Sequence, residues 1–298
     1  MNIGLSVSST HKGSNPRSGP NAMIGRVRAA HEAGLSSMTV GDHHNMPYPY
    51  VQNTPMLGRL LAEWPGRPAG ALFLLPLWNP VLAAEHIGTL AATHDGPFIV
   101  QSGIGSGDEQ FVAFGARRQD RGARLDESIR VIKALLRGER VDSPMFGVDG
   151  GRVGLLPPEP VEWWVGAGAD VALDRAAREG HAWYASPGLP FAAIAERIDR
   201  YRERCAHHGR DPLVKLRRDV LVLDDATSAR SLADEIFAAG YRGLGLDQVI
   251  VGGVDEAIER CSGLADLGVD EVVMRCMSPD ETVARETIEV MGRVQAAL

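Results

Sequence analysis

Cysteine is scarce in this chain: Cys205, Cys261 and Cys276 are the only three in 298 residues, and no two form a C-x-x-C pair. That count gives neither a disulfide framework nor a thiolate zinc site. Cys276 stands in an apolar run and is expected to be a small buried hydrophobe. No HxH or HExxH spacing accompanies the adjacent His43 and His44. Neighbours on an extended strand point to opposite faces, so no metal is expected. Clustered basic residues are also missing. Net charge is −7, and the arginines of 117–124 are interleaved with Asp120 and Asp126. This reads as a solvated helix start, not a nucleic-acid surface. No apolar run reaches the length of a membrane span, and MNIGLSVSSTHKG lacks the basic and apolar regions of a signal peptide. A cytoplasmic, reduced protein without membrane contact is expected. There is no fixed-period repeat, and no lysine ends an expected strand, which speaks against a Schiff-base aldolase or lyase.

What is present is an ordinary globular composition, 44% hydrophobic and 23% charged, with 34 glycines and 18 prolines. So many turn residues suit a fold with numerous strand–helix connections. Short apolar runs at 2–8, 37–41, 69–75, 97–103, 161–166, 181–186, 214–223 and 271–276 read as strands. Helical stripes separate them, as at Leu125, Ile129, Ile132 and Leu136, and Asn79 before Pro80 is a good helix start. Eight strands alternating with helices predict one (β/α)8 barrel spanning 1–298, with an insertion of loops and a hairpin near 137–160. A doubly wound open sheet is the alternative.

The chain is organised around residues 97–136, a strand, a glycine-rich turn, a short acidic loop and a long amphipathic helix. Gly103, Gly105 and Gly107 alternate, so a ligand can approach the backbone closely. Asp108 and Glu109 follow at the carboxyl end of the strand, where parallel α/β folds keep their chemistry. Asp108 is a candidate general acid or a helix cap, and Glu109 a surface residue. Asp42-His43-His44-Asn45 follows the second strand; a histidine there can contact a ring cofactor or transfer a proton, or simply pack under the loop. Gly166, Ala167, Gly168 and Ala169 precede a helix, offering free N–H groups and a positive dipole end to a phosphate, against which Asp170 would act.

The run GIGSGDEQFVAFG followed by RRQDRGARLDESIRVIKALL resembles the fourth strand, loop and helix of the luciferase-like monooxygenase family. That family includes bacterial luciferase and enzymes using the deazaflavin F420. The resemblance implies an oxidoreductase holding a flavin-type cofactor, F420 or FMN, across the carboxyl ends of its strands. It implies catalytic roles for His43 and Asp108, with Asp42, His43, Gly103, Ser106, Gly107 and 166–169 against the cofactor. It also implies a non-prolyl cis peptide at Ala71–Leu72, beside the ring. His11, His44, Trp78, Trp183 and Tyr184 are candidates for the substrate pocket. Ser106 stands where luciferase carries a phosphate-binding arginine, which leans the expectation to F420 and hydride transfer with a small organic substrate. The alternative is a two-component monooxygenase using reduced FMN from a separate reductase, since no nicotinamide fingerprint is evident. A homodimer is implied by similarity. A third reading is a non-catalytic flavin-binding barrel subunit.

Overall fold

Runs of Val, Ile, Leu and Ala with few interruptions form strands that are covered on both faces. In the computed structural model, which describes residues 1–11, 13 and 15–298, they become β1 (Asn2–Val7), β2 (Met38–Val40), β3 (Ala69–Phe73) and β4 (Phe98–Ser102). After the hairpin β5 (Val141–Ser143) and β6 (Val148–Gly151) come β7 (Glu162–Ala167) and β8 (Ala182–Ala185). Then follow β9 (Val214–Val222), β10 (Val249–Gly252) and β11 (Glu271–Cys276). Parallel pairing runs β1-β2-β3-β4-β7-β8-β9-β11, and β11 returns to β1 with Glu271 opposite Asn2. The sheet is therefore a closed eight-strand parallel barrel with helices outside, as expected.

Period-two alternation divides each strand between two cores. Ile3, Leu5, Val40, Val100, Val165, Leu216, Val272 and Met274 belong to the main core with the helices. Ile99, Trp164, Ala182 and Val273 form a separate cluster with Tyr184, inside the barrel. Burying each such large apolar side chain stabilises the fold by about 1.5–3 kcal/mol. Lys215 and Glu271 also face inward, pairing at 3.1 Å with the Lys215 ammonium over the Trp164 ring. A buried pair of this kind adds little net stability, so the apolar layers hold the barrel.

The helices are α1 (Ser18–Glu32), α2 (Asn53–Leu60), α3 (Pro80–Ala92), α4 (Asp108–Ala113) and α5 (Arg121–Leu136), followed by α6 (Asp170–Glu179), α7 (Ile194–His207), α8 (Ala226–Ala238), α9 (Val254–Leu267) and α10 (Glu281–Ala297). Asn79 caps α3 by accepting from the Val81 and Leu82 amides at 2.9 and 3.3 Å. Leu125, Ile129 and Ile132 are fully buried on α5, as their spacing predicts. The β5–β6 hairpin is tied to that helix by Ser143, whose hydroxyl donates to Glu127 at 2.6 Å.

Three features differ from the expectations. The acidic loop is instead the short helix α4, whose first turn carries Asp108 and Glu109 against its positive end. β10 extends the sheet because β9, nine residues long, pairs with β8 only through 214–216 and leaves its outer edge open. Every peptide bond among the described residues is trans, Ala71–Leu72 included. The ladder passes unbroken through that bond, with Ala71 opposite Val100 and Leu72 opposite Gln101.

Candidate active site

The carboxyl ends of the strands open into a cavity of about 1230 Å³. Ligand pockets commonly measure about 300–1,000 Å³, so a cofactor and a second molecule fit together. Its walls come from the ends of β1 through β4 and β7 through β9, from β11, and from the start of α5 and α6.

His43 stands on the β2 side of this cavity. Asn45 turns the chain there, adopting a left-handed φ of 51° that asparagine tolerates well. His43 Nδ1 lies 2.9 Å from Gln110 Oε1, which also accepts from the His44 amide at 3.1 Å. Gln110 Nε2 donates to the Ser106 carbonyl at 2.7 Å, so the oxygen of the amide must face His43. Nδ1 therefore carries a proton, and in the neutral ring the lone pair is on Nε2. Tyr50 packs edge-on against His43, with ring centroids 5.9 Å apart. Burial pushes its hydroxyl up to about 12, so it remains a donor at neutral pH.

Asp42 lines the cavity but works as an anchor. Its Oδ2 accepts from the Leu74 amide at 2.7 Å and from Trp78 Nε1 at 2.9 Å. Its other oxygen lies 3.1 Å from His44 Nε2. His44 and Trp78 are thus in the packed layer behind His43, with Phe114 and Phe73, and neither lines the cavity. Nearby Leu72, Gly103 and Ser106 do line it, while Ala71 and Gly107 do not. Ala71 belongs to the outer core, and Gly107 takes a left-handed φ of 85° as the residue before α4.

Asp108 departs from its expected role. Its side chain is 73% exposed and pairs with Arg118 at 3.2 Å, outside the cavity. The helical turn aims it away from the barrel mouth, and Gln110, buried on the opposite side of α4, is the residue that reaches inward. His11 is likewise absent from the lining; its ring packs on Gly19 at the start of α1. Burial and the Arg26 guanidinium lower its pKa. Trp183 faces the helices, donating to the Ala167 carbonyl at 2.9 Å and packing at a tilt against Tyr201. Tyr184, one residue on, faces the cavity.

On the β7 side, Gly166, Ala167, Gly168 and Ala169 line the cavity. A Cβ on Gly166 would lie 2.9 Å from the Ser102 carbonyl, so that glycine serves strand packing, whereas Gly168 meets nothing within 4 Å. Ala169 leaves the first turn of α6 without a side-chain cap. Asp170 points away: it is 53% exposed and bound to Arg197 at 2.8 Å and Arg200 at 3.2 Å. The repulsion expected from it is therefore removed. Arg175 of α6 reaches the same wall, held by Asp126 through bonds of 2.6 and 2.9 Å. Open amide groups, a helix dipole and this guanidinium together fit a ligand phosphate. The residues present thus fit a flavin-type group, phosphate at α6 and ring near His43.

Opposite these walls is a group that the sequence reading missed. Arg217 of β9, Arg242 and Arg275 of β11 line the cavity around Asp219. Arg217 binds Asp219 Oδ1 at 2.8 Å; Arg275 and Arg242 lie 3.4 and 3.7 Å from Oδ2. Tyr241 donates to the same Oδ2 at 2.6 Å. Burial would raise the Asp219 pKa, but Arg217, Arg275, Arg242 and the Tyr241 hydroxyl hold it below the usual range. Arg242 is shifted down to about 10 by burial and by facing Arg217 and Arg275. The signal available in the sequence was the alternation Lys215, Arg217, Asp219 in a strand with no exposed face.

No helix of the described residues is long and apolar enough to cross a membrane. Among them no cluster of His, Cys, Asp or Glu has the arrangement to hold a metal ion.

Known proteins resemble this chain over nearly its whole length. An F420-dependent glucose-6-phosphate dehydrogenase from Nakamurella multipartita is 26% identical over 294 residues, covering 92% of this chain and 85% of that protein. The oxygenating constituent of 3,6-diketocamphane monooxygenase from Pseudomonas putida, solved in complex with FMN, superposes with a TM-score of 0.83 at 16% identity, covering 98% of this chain and 97% of that one. The coenzyme F420 dependent tetrahydromethanopterin reductase from Methanopyrus kandleri gives 0.77 at 15%, with coverage of 98% and 97%. These likenesses in structure reproduce the barrel. Residues 1–248 match the luciferase-like monooxygenase family, and the chain belongs to that family.

Proposed function

We propose that this protein is an F420-dependent oxidoreductase that moves a hydride between that cofactor and a small organic substrate. The observation that carries this reading is the fixed tautomer of His43. Gln110 holds a proton on Nδ1, which leaves Nε2 of the neutral ring as a proton acceptor in a residue that lines the cavity. When a substrate alcohol is oxidised, its carbon loses a hydride and its hydroxyl loses a proton. Nε2 takes that proton, and in the reverse direction the imidazolium returns it. F420, when bound, supplies or accepts the hydride.

The remaining residues bind, orient and exclude water. The α6 N-terminus and Arg175 would hold the cofactor phosphate. Leu72, Leu74 and Ile104 would cover its ring system with apolar surface. Tyr50 and Asp42 fix the His43 loop from both sides. Support for F420 over FMN comes from Ser106, which provides no charge where FMN luciferases use arginine. The similarity to F420-dependent relatives over most of the chain points the same way.

Titration of the purified protein with F420 and FMN, each oxidised and reduced, followed by fluorescence, tests the reading. Tight F420 binding with weak FMN binding is expected, and His43→Ala should then lower kcat by about 10²–10⁴-fold. Preference for reduced FMN would replace hydride transfer with oxygen insertion and send the search to a reductase partner. Binding of neither would leave the family and fold without this activity.

A further inference from the structure

Every carboxylate that lines the cavity already has its own partners. Asp42 is engaged by the Leu74 amide, Trp78 and His44, and Asp126 by Arg175. Asp219 alone faces Arg217, Arg242 and Arg275, so this wall carries a surplus of two positive charges. Arg217 and Arg275 are only 15% exposed, and Arg217 Nε, also buried, has no hydrogen-bond partner among the described residues. Buried guanidinium groups without counter-charge are expensive, and proteins keep them where a ligand supplies the missing anion. Arg242 reaches the site from a left-handed backbone, φ 47°, between Gly240 and Gly243, which is an unfavoured conformation for a long side chain.

We infer that Arg217, Arg242 and Arg275 form the subsite for a dianionic oxyanion on the substrate, with a phosphate monoester as the best match in charge. This deepens the oxidoreductase reading and rests on it for the word substrate. Guanidinium N–H groups match the oxygens of such a group, and donors from three residues around one carboxylate suit a tetrahedral one. Asp219 and Tyr241 position the arginines from behind; Ser8 holds Arg275 through its hydroxyl at 3.0 Å. Tyr50 connects the subsite to the chemistry. It packs on His43, and the charges of Arg217 and Arg275 act on its hydroxyl. A substrate anchored by its anion would therefore extend past Tyr50 and present a carbon to His43. The cofactor phosphate belongs to the other wall, at α6 and Arg175.

Calorimetric titration of the cofactor-free protein with inorganic phosphate tests the assignment. Phosphate should bind more tightly than acetate, as a surplus of two charges requires. Arg242→Met, in a partly exposed turn where the fold is not at risk, should weaken phosphate binding about tenfold or more, and Arg275→Met likewise. Arg175→Met should remove at most a second phosphate at α6 and leave the Arg242-dependent binding in place. Loss in Arg175→Met with no effect of Arg242→Met or Arg275→Met would place the anion at α6 and overturn the inference, as would no detectable phosphate binding. F420 titrations on the same preparations separate the two proposals. Arg242-dependent phosphate binding without F420 binding sinks the cofactor reading and spares the subsite; the converse spares only the cofactor.

Discussion

Two sets of arginines line one cavity, and they are balanced differently. At the α6 wall Arg175 binds Asp126 through two bonds, Asp126 is 43% exposed, and Arg178, 3.5 Å from the same carboxylate, has Asp174 and Glu179 as its own partners. At the β9–β11 wall three guanidinium groups share Asp219, which is fully buried. The first pair is nearly complete in itself and can spare its outer donors for a cofactor phosphate. The second is stable only as a network, and it is incomplete until a ligand arrives. Substitution of the two aspartates should reveal the difference.

Asp219→Asn should have the largest effect. It leaves two buried guanidiniums and the partly exposed Arg242 without a carboxylate, and breaking a buried ionic set costs about 3–5 kcal/mol. Urea unfolding should show that loss, and added phosphate should restore part of it by binding only the folded state. A loss under about 1 kcal/mol would mean the arginines are solvated, and the contrast between the walls would disappear. The same carboxylate has a stability signature in pH. Its folded pKa lies below the ordinary 3.8, so its contribution is complete above that value and is lost as pH falls from there through the folded pKa. The wild-type urea midpoint should drop over that acid range more steeply than that of Asp219→Asn.

Gln110→Leu comes next. It removes the acceptor that places a proton on His43 Nδ1, and kcat should fall about 10- to 100-fold, with about 1–3 kcal/mol lost because the His44 amide and Ser106 carbonyl lose their partner. Gln110→Glu keeps an acceptor and adds charge, so activity should return with the limb of the pH profile that reports His43 moved upward. An unaltered pH profile in both variants would remove Gln110 from the positioning of His43. Asp126→Asn should cost less, about 1–3 kcal/mol: its carboxylate is 43% exposed, but the Arg175 guanidinium it leaves is buried. Phosphate should protect it no more than wild type, in contrast to Asp219→Asn.

The barrel was legible because its strands are buried on both faces, and runs such as Ile99–Val100 or Val272–Val273 have no other use in a chain of this composition. The helices after them declared themselves through stripes and caps, as at Asn79. That the 166–169 turn and His43 border one cavity was legible because both directly follow strands, whose carboxyl ends form the mouth of a parallel barrel. The arginine wall was not. Its members come from residues 217, 242 and 275, and only barrel closure brings them together. In sequence Arg217 and Arg218 look alike, yet alternation sends Arg217 into the cavity and Arg218 outward, to the carbonyls of Ser186, Pro187 and Leu189. Gln110 was hidden for a different reason: six residues of α4 are too few to show a helical period.

Asp108 is where the two kinds of inference separate most clearly, and its variant should have the smallest effect. Sequence places a carboxylate one residue past a glycine turn at the mouth of a barrel, which is a sound position for an acid. The turn instead starts a helix, and a helix sends neighbouring side chains about 100° apart. Asp108 therefore faces solvent and Arg118 while Gln110, two residues on, faces His43. A surface pair this exposed contributes almost nothing to stability, and no wall of the cavity includes it. Asp108→Asn should leave kcat, KM and the urea midpoint within experimental error of wild type. A tenfold fall in kcat at unchanged stability would mean that α4 rearranges when the cofactor binds, carrying Asp108 inward. The tautomer of His43 would then need a different holder, since Gln110 would move with the same helix.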